Sequence, residues 1–203
     1  MVDLDLLGAC VSTVGAAGLE VLAASDGDAR RLEDLQFSLG EGPSGEAFRT
    51  AQPVLVADVG AAETRWLQFA AAVGARGVGG VYAFPLQLGA ARSGVLTAYT
   101  RAGHQLSITQ LGAGVAWAET ARDLLLGAVD DDADSLPPGT SVPLRSVVYQ
   151  AQGMLMVRLG ISLADALVLL RAMAYADGVD INDLAAAVVS GVRAADPDAG
   201  AAQ

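Results

Sequence analysis

Gln150-Ala151-Gln152-Gly153-Met154-Leu155-Met156, followed by Asp165-Ala166-Leu167 and Leu170-Arg171-Ala172-Met173-Ala174, is the stretch on which the reading of this chain turns. It lies in three apolar-periodic segments with stop signals between them. The first helix is expected to start near Pro143, a residue tolerated in a first turn. Its apolar face steps by three and four through Leu144, Val147, Val148, Ala151, Leu155 and Leu159, and Gly160 ends it. Ser162-Leu163-Ala164-Asp165 has the form of a capping box for a second helix, with Leu163, Ala166, Leu167, Leu170 and Ala174 inward and Asp177-Gly178 as the stop. Asp180-Ile181-Asn182-Asp183 repeats the cap for a third helix that buries Ile181, Leu184, Ala185, Val188 and Val192. Small residues at Ala151, Ala166, Ala174 and Ala185 let the three axes approach closely.

Just upstream, Asp130-Asp131-Asp132-Ala133-Asp134-Ser135-Leu136-Pro137-Pro138-Gly139 joins like-charge repulsion to a Pro-Pro-Gly stop. It reads as an extended, solvated linker between two domains. The chain has 203 residues, 53% of them hydrophobic, enough for one medium core and a second small one. No apolar run reaches the roughly 20 residues of a membrane span. Asp3 and Asp5 near the start have the wrong sign for a secretory n-region, so a soluble, cytoplasmic protein is expected. All twelve basic residues are Arg, against 23 acids, and a net charge of −11 repels nucleic acid at long range. Residues 140–195 hold four Arg and four Asp, which makes the C-terminal region the least acidic part.

The first domain shows strand signals at Ala9–Val14 and Leu19–Ala24, joined by Gly15-Ala16-Ala17-Gly18 as a hairpin. Further strands are expected at Val54–Val56, Gly80–Leu88 and Gly94–Tyr99, with Gly89-Ala90-Ala91-Arg92 as a second hairpin turn. Helical stretches fall at Ser44–Thr50 and Ala61–Ala72. A final helix over Ile108–Ala128 places Leu111, Val115, Ala118, Arg122 and Leu125 on one stripe. Hairpins with helices inserted between them indicate an α+β sandwich.

Candidate chemistry is sparse. Gly40-Glu41-Gly42-Pro43-Ser44-Gly45 matches the G-x-G-x-x-G string, which needs a strand before it and a crossover helix after it. Here Gln52-Pro53 cuts the following helix after about two turns. The reading set beside a nucleotide loop is a tight turn with φ > 0 at the glycines and Ser44 as N-cap. His104, the only histidine, sits in a polar loop with no partner for a triad or a metal site. Cys10, the only cysteine, reads as a small buried hydrophobe on a strand. Trp66, Phe69, Tyr82, Phe84 and Tyr99 either line a ligand pocket or form the core. With no Lys and no second His, no catalytic residues, metal or cofactor are expected, and the chain is expected not to be an enzyme.

The C-terminal string resembles the ANTAR domain, an RNA-binding module of bacterial transcription antiterminators. Residues 35–48, Pro53-Val54-Leu55-Val56-Ala57-Asp58 and Ala83-Phe84-Pro85-Leu86-Gln87-Leu88-Gly89 resemble the GAF domain that precedes ANTAR domains in actinobacterial regulators. The implied architecture is an α+β GAF-like sandwich over 1–128, an acidic Pro/Gly linker over 129–142, a small all-α three-helix ANTAR-like domain over 143–195 and a disordered tail over 196–203. GAF domains of this kind open with a helix before the first strand, and here the chain starts almost directly at that strand. Either the start is mis-assigned or the sandwich lacks that helix; in the second case the apolar stripe of the last helix would be bare, with a partner subunit as its cover.

The resemblance implies a homodimer in which two helical modules hold a pair of RNA hairpins of a nascent leader transcript, so that a terminator cannot form. A GAF-like domain that senses a small ligand or a partner would control that grip. Motif positions carried over are Ala151, Gly153, Leu155 and Met156, then Ala166, Leu170, Arg171 and Ala174, then Leu184 and Ala185. The polar groups available for unpaired bases and phosphates are Arg145, Tyr149, Gln152, Arg158, Arg171 and Tyr175. Arg171 either touches phosphate or is a structural residue capping a helix or pairing with Asp165. Where the family commonly has Lys, this chain has Gln152, which removes a phosphate-pairing charge. A protein-interaction adaptor with the same folds and lost RNA binding is the alternative reading.

Overall fold

The computed structural model describes residues 6–15, 18–62, 65–101, 104–130 and 145–192. The chain divides into two compact units, Met1–Ser141 and Val142–Gln203. The linker and tail expected from composition, the start of the first C-terminal helix near Pro143 and Leu144, and the hairpin residues Ala16 and Ala17 lie outside the described residues.

The first unit is built on one antiparallel five-stranded sheet: β1 (Leu6–Gly15), β2 (Gly18–Ala24), β3 (Val54–Val56), β4 (Gly80–Leu88) and β5 (Ala91–Thr100), in the order β2-β1-β5-β4-β3. Both hairpins form where the glycine-containing loops predict them. One face carries α1 (Gly27–Leu39), α2 (Pro43–Thr50) and α3 (Leu67–Gly74), and the other carries α4 (Ile108–Asp130). The strand period of two divides the core accordingly. Val81, Ala83, Val95 and Tyr99 pack against Leu32, Trp66, Phe69 and Val73, whereas Tyr82, Phe84 and Leu86 pack against Ala118, Leu111 and Leu125 of α4.

Several local expectations change. Periodicity assigns nothing between Ala24 and Ser44, yet α1 is there. Two of its five buried positions are polar, Glu33 and Gln36, which breaks the apolar stripe. Its start is marked instead by Asp26, whose side chain accepts from the Asp28 and Ala29 amides at 2.9 and 2.8 Å. Ser44 is not an N-cap: Gly42 caps α2, Pro43 occupies its first turn, and the Ser44 hydroxyl is buried in the core. The expected helix over Ala61–Ala72 is a short 3-10 turn at Gly60–Ala62 followed by α3. On α4, Val115 is more exposed than the stripe predicts.

The second unit contains α5 (Ser146–Leu159), α6 (Leu163–Asp177) and α7 (Ile181–Val189). Gly160 and Gly178 end the first two in the left-handed conformation, at φ 65° and 66°. The Ser162 hydroxyl accepts from the Asp165 amide at 3.1 Å and donates to its carboxylate at 2.6 Å. Asp180 caps α7. The core is Val148, Ala151, Leu155, Ala166, Leu167, Leu170, Met173, Ala174, Ile181, Leu184, Ala185 and Val188. Leu159, Leu163 and Val192 are exposed, against expectation; each lies at or beyond a helix end. Among the described residues no single helix is long and apolar enough to cross a membrane.

Candidate nucleic-acid interface

The polar groups of the second unit divide into two surfaces. Arg145, Tyr149 and Gln152 follow at i, i+4 and i+7, so they share one flank of the α5 segment, and Arg158 projects from the opposite flank. On α6, Arg171 and Tyr175 lie one turn apart on one flank. The α5 and α6 axes bend by 110° across the Gly160 turn. Burial and then the charge of Arg145 hold the Arg171 guanidinium below its ordinary pKa.

Access differs sharply along this surface. Tyr175 is 68% exposed, a geometry suited to stacking on an unpaired base. Arg171 and Tyr149 are half-buried, and Arg158 is exposed. Arg145 is only 5% exposed. Gln152, also 5% exposed, turns inward, and its Nε2 donates to the Leu163 carbonyl at 2.6 Å. The expectation that Gln152 offers its amide to a base is therefore corrected: the side chain joins α5 to the first residue of α6. At this place in the wheel it lies next to Val148 and Leu155, and a buried amide must find a partner inside the protein.

In the first unit, the five aromatic candidates do not line one pocket. Trp66, Phe69 and Tyr99 lie in the core beneath α1–α3, and Tyr82 and Phe84 lie beneath α4, because residues of opposite parity on a strand face opposite sides of the sheet. All five are buried. Tyr82, Phe84, Leu96 and Trp117 do border a small apolar cleft of about 30 Å³ beside α4.

Sequence reasoning missed a buried polar cluster under α1 and α2. The Glu33 carboxylate accepts from Ser12 Oγ at 3.2 Å, from Gln36 Nε2 at 3.0 Å and from the Tyr99 hydroxyl. Gln36 Nε2 also lies 2.7 Å from Ser44 Oγ and 2.9 Å from the Tyr99 oxygen, while its Oε1 accepts from the Ser44 amide at 2.8 Å. Ser44 in turn meets Thr97 Oγ1 at 2.8 Å. Burial, and then the charge of Glu33, push the Tyr99 phenol well above its ordinary value. The only signal available in the sequence was the pair of polar residues on the inner face of an otherwise amphipathic segment.

The remaining candidates are structural. Gly40 and Gly42 adopt φ of 71° and 142°, and the segment before them is helix α1, so the strand that a dinucleotide loop needs is absent there. Glu41 caps α3, accepting from the Gln68 and Phe69 amides at 2.7 and 2.9 Å. The His104 carbonyl accepts from the Tyr82 hydroxyl, and its ring meets Gln110 at 3.3 Å. Cys10 is buried on β1, and burial followed by the Glu33 charge pushes its thiol far up. Among the described residues no His, Cys, Asp and Glu side chains group as a metal site.

Residues 142–189 match the ANTAR domain family. The chain is also similar to solved GAF domains. One is from a phosphoenolpyruvate-protein phosphotransferase of Coxiella burnetii, at 18% identity over 64% of this chain and 76% of that one, with a TM-score of 0.47. Another is the second GAF domain of DevS from Mycobacterium smegmatis, at 18% identity over 65% and 87%, with a TM-score of 0.44. A third is from an Acinetobacter phosphoenolpyruvate-protein phosphotransferase, at 12% identity over 63% and 74%, with a TM-score of 0.46. None of the curated proteins compared with the chain matches it.

Proposed function

We propose, from the ANTAR domain at residues 142–189, that this chain is a cytoplasmic, non-enzymatic transcription regulator that binds paired RNA hairpins as a homodimer and acts as an antiterminator. The GAF-like N-terminal domain is the sensor that controls this binding. The observation that carries the reading is the family match over the three-helix unit. Two features support it: the half-buried Arg171 guanidinium supplies a cation and the exposed Tyr175 ring a stacking platform on the same flank of α6. Unpaired loop bases are what a small helical module can read in RNA, through stacking and hydrogen bonds to base edges.

The test is a titration of purified protein with a pool of two-hairpin leader RNAs at increasing salt. Binding that depends on the loops and weakens with salt is expected, with Arg171→Ala reducing it at all salt concentrations and flattening the salt slope by about one. Tyr175→Ala should weaken binding about tenfold or more through lost stacking. An intact dimer that binds no RNA at low salt would overturn the reading in favour of the protein-interaction adaptor. The net charge of −11 and the inward-facing Gln152 are the features that favour that second reading.

A further inference from the structure

Helix α4 is apolar over more of its circumference than the sheet covers. Only four of its 23 residues are charged, and a helix apolar on all sides is normally a buried one. Ala118 and Gly114 bury against the sheet, yet Ile108, Val115 and Leu126 remain 91%, 40% and 41% exposed. These three belong to one flank, which also carries Glu119 and Arg122, whereas Trp117 and Leu124, 45% and 70% exposed, lie on the opposite one. Ile108, Gly112, Val115, Glu119, Arg122 and Leu126 are spaced alternately by four and three residues, the spacing of a coiled-coil seam. Beside this flank runs a groove of about 210 Å³ bounded by Pro53, Phe84, Pro85, Val115 and Arg122.

We propose that this flank is the homodimer interface and that α4 packs antiparallel against α4 of a second copy. The proposal rests on the homodimer of the preceding section and specifies its surface and direction. The seam contains one acid and one base a single turn apart. In a parallel pair, equivalent positions meet, so Glu119 would face Glu119 and Arg122 would face Arg122. In an antiparallel pair, with the two-fold axis between Thr120 and Ala121, Glu119 faces Arg122 of the second copy and Val115 faces Leu126. One register thus satisfies every large or charged pair from Val115 to Leu126, which is the self-complementarity an isologous interface requires. Arg122 is held along this flank by the Gln87 carbonyl at 3.2 Å and by Asp123. The second helix would lie over the groove and remove its apolar walls from water. The two α4 C-termini then sit roughly 30 Å apart at opposite ends of the pair, at 1.5 Å rise per residue. Each leads to its own C-terminal module.

Sedimentation equilibrium of the full chain without RNA tests this directly. The native chain should dimerise. Glu119→Arg and Arg122→Glu should each weaken dimerisation by about tenfold or more, and the double swap E119R/R122E should restore it, because like charges facing each other across an interface are strongly disfavoured. A monomeric native chain, or a dimer indifferent to the single reversals, would overturn the proposal. Arg122 also supports the Gln87 carbonyl, so cysteine pairing gives a second readout if R122E does not fold. On oxidation V115C/L126C should yield a covalent dimer, and V115C or L126C alone should not; covalent dimers of the single variants would overturn the antiparallel register. Titrating the same proteins with RNA separates the two readings. A dimer of this register that binds no RNA upholds the interface and overturns the RNA regulator.

Discussion

Glu33 is the residue whose environment is most demanding. A carboxylate among Ser12, Gln36 and Tyr99 is satisfied as an acceptor of three donors, and its removal would leave those donors buried without it. Glu33→Ala is therefore expected to cost on the order of 3 kcal/mol of stability, read by urea denaturation. Asp26 acts at the surface. The Ala29 amide, the Ser25 hydroxyl and the Asp28 amide hold its carboxyl below the usual aspartate range. Its stabilising contribution is thus complete above the unfolded-state pKa of about 3.9 and is lost as pH falls through the lower folded value. Asp26→Ala should lower stability by about 1 kcal/mol at neutral pH, with the deficit vanishing in strong acid. Gln152→Leu, which preserves volume but removes the donor to the Leu163 carbonyl, should cost about 1–2 kcal/mol in the C-terminal unit. A loss of RNA affinity in this variant at unchanged salt slope would mark Gln152 as a positioning residue for the α5–α6 junction, because the substitution removes no charge, and unchanged affinity would show that the junction does not govern binding.

Helices are set by what they cannot accommodate as much as by what they bury. At Gly114, an added methyl would come within 2.4 Å of the Phe84 ring, so glycine lets α4 lie close on the sheet. Gly114→Ala should destabilise the first unit by about 1–3 kcal/mol, the ordinary cost of overpacking, measured by thermal unfolding. Gly42 combines φ of 142° with a methyl position already taken by the Gln36 side chain, so its substitution would disturb both the turn and the polar cluster. In the second unit the Ser162 cap is the start signal of α6. Ser162→Ala should remove about 1 kcal/mol by leaving the Asp165 amide unpaired at the helix start. The missed helix α1 belongs to this scale too: its inner face mixes Leu32 and Phe37 with Glu33 and Gln36, and a periodicity argument that counts only apolar residues passes over it.

At the scale of the molecule, the chain divides into two compact units after Ser141, and the ten residues from Asp130 to Gly139 just before that division hold four Asp and a Pro-Pro pair. We expect a protease that cuts before aspartate to cleave first between residues 130 and 134 under native conditions, leaving two fragments that keep their helical circular dichroism. Early cuts within α6 or α7, at Asp165 or Asp183, would contradict a linker there. Trypsin cannot make this test, because the segment contains no basic residue.

What the sequence alone determined is everything governed by local chemistry. Strands alternate between faces, glycines close the hairpins and end α1, α5 and α6, and Ser162 and Asp180 start α6 and α7. These signals act over a few residues and survive without knowledge of neighbours, so the α+β sandwich and the three-helix unit were legible. Tertiary structure decided what depends on which faces meet. It separated Tyr82 and Phe84 from Trp66, Phe69 and Tyr99, turned Gln152 inward, and gathered Ser12, Glu33, Gln36, Ser44, Thr97 and Tyr99 from separate elements into one network. Burial and pairing of polar groups are fixed by contacts distant in the chain, and no local pattern encodes them.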